Sequence, residues 1–164
     1  TGRADASLAG AVRHLVGDAT GEQMAKDPAL RDLLGLCEPG YERERIEQFL
    51  IESLVLVPAG ARLIAAADPG VGEILERSQA LADRGLRNQV LQTRLMASLA
   101  RGMGAIGASS FGAGWGGSVY ALVPADDAGD FASRWLQAYR DREQEAERAA
   151  TIVTRPGPGA CRLL

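Results

Sequence analysis

The chain has 164 residues, 46% of them hydrophobic and 24% charged, with a net charge of −3 and a pI near 5.2. That size and balance fit one soluble globular domain with a real core and exclude a mostly disordered chain. The acidic balance lacks the electrostatic footprint of a nucleic-acid binder.

The first residues, Thr1-Gly2-Arg3-Ala4-Asp5, carry no charged-then-apolar signal pattern, and Thr1 is not an initiator Met, which suggests a processed chain or a fragment. Residues 4–16 read as a helix, with Leu8, Ala11, Val12, Leu15 and Val16 at helical spacing and Gly17 as its stop. His14, the only histidine, lies on this helix and reads as a surface or capping residue. Multi-histidine zinc and iron sites are excluded with it. Lys26 is the only lysine, which excludes a Walker A loop and a Schiff-base lysine. A short helix is expected from Pro28 to Leu36, ended by Pro39-Gly40. Cys37 and Cys161 are far apart and unpatterned, the usage of reduced thiols in the cytosol.

A long helix starts at about Glu42, with Ile46, Phe49, Leu50, Leu54 and Val57 in one stripe. Pro58 and Gly60 should kink or interrupt it before it resumes through Ala61–Ala67. Another helix spans Val71–Asp83, with Ile74, Leu75, Ser78 and Leu81 inward. Asn88 reads as the start of the next, carrying Val90, Leu91, Leu95, Met96 and Leu99. No unbroken apolar run approaches the roughly 18 residues of a membrane span, so none is expected.

The pattern then changes, with seven glycines between positions 102 and 117. Ser118–Val123 reads as a strand, with Val119, Ala121 and Val123 on one face. Asp126 or Asp127 can cap a helix carrying Ala128, Phe131, Ala132, Trp135, Leu136 and Tyr139, whose charged end runs from Arg140 to Arg148. Thr151–Thr154 reads as a strand, 155–159 as a turn and Ala160–Leu164 as a final strand. The reading is a single α+β domain over 1–164, mainly helical over 1–103, with the glycine loop and a small antiparallel sheet with helices on one face over 104–164.

Gly112, Gly114 and Gly117 spell G-x-G-x-x-G, but a helix is expected before them and a strand after, the reverse of a dinucleotide fingerprint. A protein kinase is excluded because no lysine and no His-Arg-Asp follow. Two readings remain. Glycines can let a helix and a strand pack closely, or clustered backbone N–H groups, with Ser109 and Ser110 beside them, can suit a phosphate.

The segment from Gly107 to Gly117 resembles the third motif of the GHMP kinases, which in galactokinases reads Gly-Ala-Arg-Met-Thr-Gly-Gly-Gly-Phe-Gly-Gly. Gly107, Ala108, Gly112, Gly114, Gly116 and Gly117 match without a gap, and Trp115 takes the place of the aromatic. Ser109-Ser110-Phe111 and Ala113 depart from it. Glu52-Ser53 stands where relatives often have Glu-Asn, and Ser78-Gln79 where many have Ser-His. Thr1-Gly2 with the helix after it, and the ending 151–164, are similar to the start and close of the galactokinase C-terminal half.

The resemblance implies a C-terminal domain with a four-stranded ferredoxin-like sheet, in a cytoplasmic kinase that transfers the γ-phosphate of Mg-ATP to a sugar hydroxyl. It implies that Ser109, Ser110, Gly112, Ala113, Gly114, Gly116 and Gly117 support the phosphate site. It also implies that ATP, magnesium, catalytic residues and most sugar contacts belong with a separate N-terminal kinase domain. No catalytic residue or metal ligand is assigned here, no nucleic acid or membrane partner is expected, and 1–164 alone should be inactive. A stand-alone binding module is the alternative, as is a ligand-sensing domain suggested by the strand-helix-strand-strand ending.

Overall fold

A computed structural model describes residues 40–144 and 146–155, together with Pro28. The helix expected at 4–16, all of the one expected at 28–36 except Pro28, the final strand, His14, Lys26 and both cysteines lie outside the described residues.

Helix α1 (Tyr41–Ile51) runs into a widened π-helical turn, Glu52–Leu56, and on into α2 (Val57–Ala65). The helix is not interrupted at Pro58. Pro58 lacks an N–H and crowds the turn behind it, and the helix answers by widening just upstream, where the Val57 N–H reaches back to Glu52 O. The helical run Arg43–Ala65 is 23 residues long and holds an 18-residue window of mean hydropathy 1.5, long and apolar enough by length and composition to cross a membrane. Glu52 and Arg62 interrupt its apolar residues, so no continuous apolar stretch marks it in the sequence. Here Leu50 and Leu56 are buried, and Glu52 accepts a hydrogen bond from the Ser78 hydroxyl.

Helix α3 (Val71–Leu81) also ends in a π-helical turn, Ala82–Leu86. Helix α4 (Leu91–Gly102) begins later than expected. Its cap is at Val90, whose N–H donates to Thr93 Oγ1, and Asn88 stays outside the helix. Its inner positions are Thr93, Ala97 and Ala100, while Leu91 is exposed.

Strand β1 (Gly107–Phe111) lies where the sequence suggests only loop. It pairs antiparallel with β2 (Ser118–Leu122), in a register that sets Ala108 opposite Ala121 and Ser109 opposite Tyr120. Helix α5 (Ala128–Arg140) follows a 3-10 turn at Ala125–Asp127 and buries Phe131, Trp135 and Tyr139 as its spacing predicts. Ala97, Ala100, Ala105, Ala108, Phe131 and Trp135 form the core, with Val119, Ala121 and Val123 against it. Helix α3 packs along β1 and α4 along both strands.

The architecture is α+β, as expected, with a two-stranded sheet among the described residues. Residues 151–154 do not form a strand. Ile152 is 89% exposed, so this β-branched run has no face to bury. The ending that suggested a sensing domain is therefore not formed there.

Candidate functional site

The hairpin turn 112–117 is built from backbone that side chains avoid. Gly112, Gly114, Gly116 and Gly117 have φ of 81°, 78°, 107° and 98°. Glycine adopts these values without penalty. Trp115 sits among them at φ 60°, in the left-handed region, and is 71% exposed. The turn thus presents backbone to solvent, and added Cβ atoms at Gly112 and Gly117 would meet nothing within 4 Å.

Behind the turn lies a chain of hydrogen bonds. Gln79 Oε1, from α3, accepts the Ser110 N–H at 2.8 Å and the Ser109 hydroxyl at 2.9 Å. Gln79 Nε2 donates to Gln89 Oε1 at 2.9 Å, and Gln89 Nε2 donates to Asn88 Oδ1 at 2.9 Å. Asn88 Nδ2 then donates to the Ala113 carbonyl at 3.0 Å. Each amide turns its oxygen to a donor and its nitrogen to an acceptor, so flipping one breaks bonds on both sides. Gln89 and Ser109 are buried, where an unmade bond is costly.

A second polar group lies under β2. Burial pushes the Tyr120 phenol above its ordinary range, and the nearby Glu52 carboxylate pushes it further, while a hydrogen bond with Ser109 opposes both. Glu52 Oε1 takes the Ser78 hydroxyl at 2.8 Å, and its Oε2 is buried without a partner among the described residues.

Residues 63–141 match the family model described as GHMP kinases C terminal. This stretch is similar to the C-terminal region of the GHMP kinases. Over 77% of its length the chain is similar in fold to the crystal structure of Lactococcus lactis galactokinase complexed with galactose, with a TM-score of 0.59 and 22% identity. It spans 31% of that galactokinase's length.

In this region the residues singled out from the sequence divide into two groups. Gly112, Ala113, Gly114, Gly116 and Gly117 form the turn itself. Ser109 and Ser110 stand in β1, not in the loop, and their hydroxyls turn toward Gln79. The close-packing reading of the glycines holds at Gly107, where a Cβ would come within 2.6 Å of Leu75. The serines and the turn are brought together through Gln79, Gln89 and Asn88, which the sequence reading did not place near the loop. Their bonds span 25 to 31 residues of sequence to β1 and the turn, so no local spacing marks them. No group of three or more His, Cys, Asp or Glu able to hold a metal occurs among the described residues.

Proposed function

We propose that this chain works as the C-terminal part of an ATP-dependent sugar kinase of the galactokinase kind, and that the turn 112–117 backs its nucleotide-phosphate site. The observation that carries this is the turn, a solvent-facing stretch of left-handed backbone inside the segment that matches the GHMP kinases. Positive-φ backbone with no side chain over it suits the approach of a phosphate. Gly112, Ala113, Gly114, Gly116 and Gly117 are the residues nearest the phosphate in this reading. Ser109 and Ser110 support it from behind by fixing β1 to Gln79.

ATP with magnesium supplies the transferable phosphoryl group when bound. The turn fits a phosphate through its backbone, while the described residues offer no cluster for the metal. In this reading the metal ligands, the general base and the sugar contacts belong to an N-terminal kinase domain that acts as partner. The unpatterned Cys37 and Cys161 support a cytoplasmic setting.

The test has two parts. ATP-dependent phosphorylation of galactose and a panel of monosaccharides is measured for residues 1–164 and for the longest protein encoded in frame with them. The short chain should be silent and the longer protein active. Sugar phosphorylation by 1–164 alone, or a longer protein that phosphorylates no sugar, would overturn the reading.

A further inference from the structure

The firmest restraint on the turn comes from outside the hairpin. Asn88 lies between the π-helical turn Ala82–Leu86 and α4. Its carbonyl accepts the Trp115 N–H at 2.6 Å, and its side-chain amide donates to the Ala113 carbonyl at 3.0 Å. A Cβ on Gly114 would come within 2.4 Å of Asn88 Nδ2. Three successive turn residues therefore rest on one asparagine.

We propose that Asn88 is a positioning residue for phosphoryl transfer, holding the turn 112–117 in the one shape that faces its backbone outward; this rests on reading the turn as the phosphate-side element. The two bonds have opposite polarity, so they fix both position and tilt. The Trp115 N–H is committed to Asn88 and is not offered to a ligand. That bond also holds Trp115 in a conformation unfavourable for a residue with a side chain. Gln89 Nε2 occupies Asn88 Oδ1, so the amide can present only its nitrogen to Ala113. Aspartate at this position would still accept from Gln89 but would set a carboxylate oxygen against the Ala113 carbonyl. Alanine would remove both side-chain bonds, to Gln89 and to Ala113, and leave the Trp115 N–H on a backbone carbonyl that the side chain no longer holds in place.

Asn88→Ala and Asn88→Asp are made in the full protein that carries this chain, with Gly114→Ala as a variant that distorts the turn directly. Exchange of the Trp115 amide reports the turn. Exchange of the Trp135 indole N–H, bonded to the Met96 carbonyl, reports the core. In both Asn88 variants the Trp115 amide should exchange about tenfold faster while Trp135 is unchanged. The kcat should fall about ten- to a hundredfold, with KM for the sugar within about twofold of the parent. An unchanged Trp115 amide overturns the inference whatever the activity does. Faster exchange at Trp135 as well marks Asn88 as structural only and also overturns it, with Asn88→Asp deciding where Asn88→Ala does not fold. A loosened turn with activity kept in the Asn88 variants but lost in Gly114→Ala overturns the inference and leaves the phosphate-side reading standing. Activity kept in all three, with the turn loosened, overturns the phosphate-side reading and the inference with it.

Discussion

Gly72 and Ile106 approach so closely that a Cβ at position 72 would lie 1.8 Å from the Ile106 carbonyl oxygen. Helix α3 can pack along β1 only because this position carries no side chain. Gly107 completes the contact, its own Cβ position lying 3.2 Å from the Gly72 Cα. Gly72→Ala must push helix and strand apart, because the obstacle is backbone. A loss of about 2–4 kcal/mol is expected, read from urea unfolding. A loss below about 0.5 kcal/mol, the size of an ordinary surface change, would contradict the packing described.

This contact also explains how much was legible in the sequence. Helix α5 and strand β2 follow from local pattern, Phe131, Trp135 and Tyr139 at helical spacing and Val119 and Ala121 in alternation. Strand β1 does not. Gly-Ala-Ser-Ser-Phe has low intrinsic preference for a strand, and it becomes one because β2 pairs with it and α3 fits against its glycine. The reverse error occurs at Thr151–Thr154, where β-branched residues favour a strand that finds no pairing among the described residues. Asn88 has the chemistry of a helix cap, yet Thr93 supplies the side chain that caps α4 and leaves Asn88 to the turn. Of the candidate site, the glycines were visible as a motif. The amides that hold them were not, because they meet the loop only in three dimensions.

Tyr120 makes stability fall in strong alkali. Its folded phenol keeps its proton above the ordinary value of 10.0, so above that pH the unfolded chain binds fewer protons than the folded one. The stabilisation is complete below pH 10.0 and is lost as pH rises through the folded value. Tyr120→Phe should remove this component from a pH series of denaturation midpoints. Glu52→Gln should weaken it, because the carboxylate is the second cause of the shift.

Trp135 anchors α5 to α4 by ring burial and by its indole bond to Met96 O at 2.9 Å. Trp135→Phe keeps most of the ring and loses the indole bond, while the Met96 carbonyl keeps its place in the α4 ladder, for an expected loss of about 1 kcal/mol. Trp135→Ala adds a cavity against Phe131, Ala97 and Ala100, for about 3–5 kcal/mol. Thermal unfolding of both variants checks the order; equal losses would show that the ring itself contributes little.

Gln79→His offers a further test. One imidazole nitrogen can accept from the Ser110 N–H while the other donates to Gln89 Oε1, but only in the neutral ring. The folded state would then hold the histidine below its unfolded value near 6.5. The variant should match the parent at pH 8 and lose stability as pH falls through about 6, by roughly 1–2 kcal/mol at pH 5. A denaturation midpoint that does not change with pH between these values would show that the position tolerates a broken connection.

The connection from Ser109 through Gln79, Gln89 and Asn88 to Ala113 is made of hydroxyl, amide and peptide groups alone, without a formal charge at any point. Ion pairs at the surface, such as Arg94–Asp83 and Arg87–Glu44, weaken as salt rises or as carboxylates take up protons. A neutral scaffold does neither. The turn therefore rests on a support whose strength is the same at low and high ionic strength and across the whole range in which the carboxylates remain ionised. Charge arriving in front of it, as a ligand or as a neighbouring surface, meets a frame that does not rearrange its own charges in response.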